Sequence, residues 1–225
     1  MPDEPRKAST ILVMGFRPSP EAGGDRSGEL LGRLAGEASD QASFRTLLLP
    51  AGRDDALLKA VETMDHFLPD AVLVLGAADG EASLIIERAA ANLDEPAPGS
   101  RTGGEPIDAA GPAGYFSTLP IGAMLRRMRA GRVPVKLSTS GAGRRSNRLL
   151  YALLHYVALR GQETWFKRQP PAGLGSLIGA IEIPSSQRLP LETSLRGVGL
   201  ALAAVADHLA SPEGRSSDAA YPAAE

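Results

Sequence analysis

A serine-bearing turn is where this chain could do chemistry. Residues 138–143 are small and flexible, and Arg144, Arg145, Ser146 and Asn147 follow them. An apolar run at helical spacing comes next: Leu149, Leu150, Leu153, Leu154 and Val157. Residues 133–137, just upstream, read as a short buried strand. Strand, glycine-rich turn and helix start, in that order, is where α/β enzymes hold a nucleophile. The turn exposes one side chain and the helix start offers N–H donors. The same pattern also serves as a plain connection in which Ser146 caps its helix.

The remaining residue types narrow that chemistry. The chain has no cysteine, which excludes disulfides, thiolate metal sites and a thiol nucleophile. Its three histidines, His66, His155 and His208, share no metal-ligand spacing, so neither a metal nor another cofactor is expected. His155 lies nine residues beyond Ser146 in the same expected helix. That is roughly 13 Å along the axis, too far to act as its base. His66 and His208 fall on helices away from the strand ends and read as surface or packing residues.

A set of alternating strands and helices must position this turn. Strands are expected at 11–14, 44–49, 71–75, 133–137 and 177–183. Helices are expected at 27–36, from Asp54 or Asp55 through Met64, from Thr118 or Pro120 through Ala130, and at 144–159 and 191–209. Between them, 76–93 begins as a loop and continues as a piece whose period does not decide between helix and strand. Residues 94–111 read as a long surface excursion, and 162–175 as a loop holding Trp165. This alternation implies a three-layer α/β/α sandwich with a mostly parallel central sheet. Ligands in such sheets bind at the carboxyl ends of strands, so the loops after Met14, Leu75, Leu137 and Ile183 should converge. Phe16, the 81–87 segment, Ser146 and Glu182 would then lie near one another.

At 225 residues the chain suits one domain with a full core, here 10–209, between disordered ends at 1–9 and 210–225. A net charge of -2 gives no basic field for nucleic acid and no polybasic membrane patch. No apolar run approaches the ~20 residues that span a bilayer. The polar N-terminus lacks a signal peptide's apolar core, so the expected location is the cytoplasm.

Several blocks occur together in one order. They are Gly15-Phe16 with Pro18, Leu49-Pro50, Pro69-Asp70 ahead of Gly76, and Glu87-Arg88 to Asn92. Gly111-Pro112 with the run Tyr115-Phe116-Ser117-Thr118-Leu119-Pro120-Ile121 follows, then 138–147 leading to Leu154-His155, and 179–184. Collinear over nearly all of 10–209, they resemble pyroglutamyl peptidase type I, a family of cytosolic cysteine peptidases. The resemblance implies an α/β/α fold, removal of N-terminal pyroglutamate from peptides, and a homo-oligomer, dimer or tetramer. It also implies a Cys nucleophile, a His base and a Glu that orients the His. Those positions fall on Ser146, Glu182 and Glu87, so only the Glu keeps its type.

The positions that would bind substrate are Phe16, Ser19, Asp25, Ala77 and Arg144. Ser19 stands for the second aromatic of the family's first loop, Asp25 for its Asn, and Arg144 for the nucleophile loop's aromatic. The arginine expected after Asn92 is missing, with Ala97 nearest in a gapless reading. Three readings stay open. One is an impaired family member that binds a peptide-like or small acidic ligand. Another is an acid-range serine hydrolase using Ser146 with Glu182 and Glu87, two carboxylates sharing one proton. The third is a scaffold in which Ser146 caps its helix and the glutamates sit in ion pairs.

Overall fold

The structure is a computed structural model that describes residues 9–17, 26–35, 42–94, 104–138, 145–167 and 176–211, with backbone alone at 161–167. Apolar β-branched and Leu-rich runs form the central strands: β1 (Ser9–Phe16), β3 (Ala71–Ala78) and β8 (Leu177–Pro184). Such runs are buried on both faces, as a parallel sheet between helices requires, whereas β2 (Ala42–Leu49) is a partly exposed edge strand. The shorter strands are β4 (Leu84–Glu87), β5 (Ala89–Ala91), β6 (Gly114–Phe116) and β7 (Val135–Ser138). The six-stranded sheet runs β2-β1-β3-β8-β4-β7, while β5 and β6 form a separate antiparallel ribbon. Among the described residues, the only antiparallel ladder in the large sheet joins β4 to β8.

Among the described residues five helices cover the two faces: α1 (Ser27–Leu34), α2 (Arg53–Phe67), α3 (Ile121–Ala130), α4 (Arg145–Lys167) and α5 (Leu191–Ala210). On one face Leu30, Met124, Met128, Val198 and Leu202 from α1, α3 and α5 pack on Ile11, Leu73, Leu75 and Ile183. On the other, Ala56, Ala60, Leu150 and Tyr151 from α2 and α4 pack on Met14, Val74, Ile178 and Ala180. The strand period of two sends alternate residues to these two cores. The result is the three-layer α/β/α sandwich with a mostly parallel sheet.

Several expected bounds change. Ser9 already belongs to β1, and α5 extends through Ala210; both were expected in the tails. α1 stops at Leu34, short of Gly36. The third helix starts at Ile121, because Thr118 is bound to β8: its N–H donates to the Ile178 carbonyl at 2.9 Å. The expected loop at 162–175 begins later, since α4 stays helical through Lys167 and includes Trp165. No proline interrupts it before Pro170, and a single interior glycine such as Gly161 costs only about 1 kcal/mol.

The undecided piece within 76–93 is extended and supplies β4 and β5. That strand changes the topology. β4 inserts beside β8, so β7 lies at the sheet edge with Lys136 and Leu137 exposed, and is not the buried strand expected at 133–137. The β4–β7 pair also runs opposite to β8. The loop after Leu137 therefore does not leave at the edge shared by the loops after Met14, Leu75 and Ile183.

Candidate functional site

Strand register brings the carboxylates together. Glu182 of β8 lies between Gly76 of β3 and Ile85 of β4. Glu87 pairs with Ala180, one step along the same face, which makes it the diagonal neighbour of Glu182. Diagonal pairs across an antiparallel ladder are within reach of long side chains. Both glutamates face the layer formed by α2 and α4, where Ala180 and Ile178 also pack. Glu182 is fully buried and Glu87 is 2% exposed.

The start of α4 meets this pair. Ser146, 2% exposed, donates its hydroxyl hydrogen to Glu182 Oε1. The approach depends on Gly76. A Cβ there would stand 2.2 Å from Glu182 Oε2 and 2.7 Å from Ser146 Cβ. Here glycine is needed for space, letting a strand, a helix start and a carboxylate close on one point. The sequence carried this signal as the glycine that ends the 71–75 run, but only the register gives it a purpose.

The flanking residues hold the helix start in place. Arg145 lays its guanidinium over the Phe16 ring at 4.4 Å and donates to the carbonyls of Pro50 and Ala51. Phe16 is 2% exposed and so forms a covered wall of the site, capped by a cation. Asn147, also 2% exposed, clasps the ribbon: its Oδ1 accepts from Ala91 N–H at 2.9 Å, and its Nδ2 donates to the Ala91 and Leu93 carbonyls at 3.0 Å. Arg148 pairs with Asp94 and with Asp54, the latter at 3.0 Å. Neither Arg145 nor Asn147 was among the expected site residues. Their place beside Ser146 was the available clue.

The other expected positions divide. Phe16, Ser146, Glu87 and Glu182 share one layer. Ala77 does not: it pairs with Ile183, and strand alternation turns it toward the opposite face from Gly76 and Glu182. Ser19, Asp25 and Arg144 lie outside the described residues, as does Ala97. Among the described residues no group of three or more His, Asp or Glu side chains could hold a metal ion.

His155 is bound away from Ser146. Its Nδ1 is 2.6 Å from the Tyr115 hydroxyl, and its Nε2 is 3.1 Å from Asp108 Oδ2. Its ring stacks on Tyr151, which is fully buried and donates to the Pro112 carbonyl at 2.9 Å. Burial pushes the Tyr115 phenol above its ordinary value, and the Asp108 charge adds to this. Burial raises Tyr151 as well, helped by Tyr115 and Asp108. A phenol raised on folding stabilises the fold below its unfolded pKa, about 10, and that stability is lost as pH rises through the folded value. The expected result is loosening of this cluster above about pH 10, with tyrosine absorbance at 295 nm rising later in the native chain than in urea. Coincident titration in the two states would contradict it.

This sandwich is a known class of fold. It superposes on the crystal structure of Bacillus amyloliquefaciens pyroglutamyl peptidase I with a TM-score of 0.74 and 26% identity, covering 89% of this chain and 98% of that one. The pyrrolidone carboxyl peptidase of Thermococcus litoralis shares the fold, with a TM-score of 0.74 over 90% of this chain and 95% of that one, at 19% identity. The pyroglutamyl peptidase family model matches residues 9–208. A pyrrolidone-carboxylate peptidase of Cupriavidus taiwanensis is 33% identical over 207 residues, 86% of this chain and 91% of the relative. One of Photorhabdus laumondii is 30% identical over 199 residues, 80% and 91% respectively. The chain belongs to the pyroglutamyl peptidase family.

Proposed function

We propose that this family member is impaired as a peptidase and keeps the old site to bind a peptide-like or small acidic ligand. The hydrogen bond from Ser146 to Glu182 carries the reading. A hydroxyl and a carboxylate stand at the positions where the resemblance places thiol and imidazole. Serine has no thiolate-like reserve near neutrality and needs a strong base, and an ionised carboxylate is a poor one for a hydroxyl. Buried carboxylates at 87 and 182 favour a ligand that presents N–H donors, such as a lactam or peptide amide. An acidic group would be met by Arg145.

The same contact supports a second reading, an acid-range serine hydrolase. Its nucleophile would be Ser146, its base Glu182, and Glu87 on the same face would share a proton with Glu182. Thermal-shift titration with L-pyroglutamate, a pyroglutamyl dipeptide and simple carboxylates tests the binding reading. A saturable rise in Tm with the dipeptide, kept in Ser146→Ala, is the expected outcome. No shift with any of these probes would leave a scaffold. The protein would work as a homo-oligomer, dimer or tetramer, in the cytoplasm; light scattering that gives a monomer mass would rule out the assembly.

A further inference from the structure

We propose that Ser27, on the helix layer opposite the site, is a positioning residue: it fixes the Phe16 wall of the slot in which Ser146 meets Glu182. The slot follows from strand register. Gly15 pairs with Leu75 and Gly76 pairs with Glu182, so Phe16, Gly76 and Glu182 fall in one row across β1, β3 and β8. The row lies on the face that α2 and α4 cover, where Phe16 shares a core with Met14, Val74 and Ala180. Neighbouring strands lie about 4.8 Å apart, which leaves roughly 10 Å between the Phe16 and Glu182 backbones and only a glycine between them. Ser146 stands over this gap, its Cβ 2.7 Å from where a Gly76 Cβ would be. The Phe16 ring bounds one side of the slot and the Glu182 carboxylate the other.

Phe16 is held from both layers. On the site's own layer, the Arg145 guanidinium covers the ring at 4.4 Å, and Arg145 is joined through the chain to Ser146. From the other layer, Ser27 grips the backbone of the same residue. Its Oγ accepts from Phe16 N–H at 2.8 Å and donates to the Phe16 carbonyl at 3.3 Å. One hydroxyl thus fixes both peptide planes of Phe16, and with them the direction in which the ring leaves the strand. Ser27 is fully buried in the first turn of α1, a helix whose Leu30, Leu31 and Leu34 pack in the opposite core. Gly15 makes the grip possible: a Cβ there would stand 2.8 Å from Ser27 Cβ and 3.0 Å from its Oγ. Gly15 and Gly76, near the ends of adjacent strands, admit α1 from one side and α4 from the other.

Packing alone does not call for a hydroxyl at position 27, since alanine fills nearly the same volume. The hydroxyl supplies direction, because a hydrogen bond holds its partners by distance and angle whereas apolar burial is non-directional. Ser27 acts on Ser146 through Phe16. Its removal leaves every group of the site in the chain and changes only their alignment, whether the site binds its ligand or hydrolyses it.

The test needs no ligand. The chain has no cysteine, so Ser146→Cys carries a single thiol, placed beside Glu182. Its thiolate is read by ultraviolet absorbance after subtraction of the thiol-free wild-type chain. Burial beside a carboxylate opposes ionisation, so this thiol should titrate above the ordinary value of about 8.5. Adding Ser27→Ala should bring the titration down by about half to one pH unit, the equivalent of one net hydrogen bond, and speed exchange of the Phe16 amide about fivefold. Ser27→Gly deletes the same hydroxyl and takes the place of Ser27→Ala should that chain fail to fold. Phe16→Leu removes the ring and keeps the backbone bonds to Ser27, so it should lower the titration without speeding the amide at position 16. A faster Phe16 amide with an unchanged thiol titration would reduce Ser27 to a structural bond and overturn the proposal. An unchanged Phe16 amide would overturn the grip itself.

Discussion

Gly76→Ala should cost about 1–3 kcal/mol of stability and part Ser146 from Glu182. The added methyl would sit 2.2 Å from Glu182 Oε2, 2.8 Å from its Cδ and 2.7 Å from Ser146 Cβ. The carboxylate can swing, but Ser146 Cβ is fixed to the first turn of α4. Either the side chain leaves its hydrogen bond or the helix start retreats, and the Ser146–Glu182 contact is lost in both cases. Gly199 of α5 is the control, since a Cβ there meets nothing within 4 Å. Gly199→Ala should stabilise the chain by up to about 1 kcal/mol through helix propensity. Urea unfolding of both variants reads the contrast. A Gly76→Ala chain as stable as wild type would mean that the three groups do not close on one point.

The second large effect belongs to Tyr151. It is fully buried on α4, its ring lies 5.8 Å from that of His155 and 5.4 Å from that of Tyr115, and its hydroxyl donates to the Pro112 carbonyl. Truncating a buried aromatic leaves a cavity, so Tyr151→Ala should cost about 3–5 kcal/mol. Tyr151→Phe keeps the ring and loses one hydrogen bond, for about 1 kcal/mol. The loss should be larger when the ring goes than when the hydroxyl goes, because packing outweighs a single net hydrogen bond. Tm values falling equally in the two variants would assign the stability to the hydroxyl and contradict this.

The main layers were legible because their signals are local. Apolar runs at 71–75 and 177–183 can only be buried strands in a chain of this alternation, and Leu195, Val198, Leu202 and Val205 mark one helical face. The 76–93 segment was not legible, because β4 is four residues long and its pattern does not separate helix from strand. Missing β4 misplaced β7, since edge or interior position is a property of strand order and not of composition. Among the site residues, Ser146 and Glu182 were expected near one another and do meet, but the expected reason failed: β7 ends at the opposite edge, and it is the start of α4 that reaches Glu182. Ala77 failed through alternation: one residue past Gly76, a side chain turns to the other face. Gly76 and Asn147 were named in the sequence but given no place in the site, because their importance lies in contacts across 106 and 56 positions of sequence, as 182 − 76 and 147 − 91 show.

The central claim is that the family fold persists while peptidase chemistry at neutral pH does not. Hydrolysis of a pyroglutamyl fluorogenic amide between pH 4 and 9, by wild type and Ser146→Ala, tests it most directly. The account predicts no Ser146-dependent turnover near neutrality in a chain shown to be folded. Turnover confined to acid pH and lost in Ser146→Ala would establish the serine–carboxylate reading in place of the binding one. Turnover at neutral pH that disappears in Ser146→Ala would contradict the account, because Glu182 would then be acting as the base that its chemistry argues against.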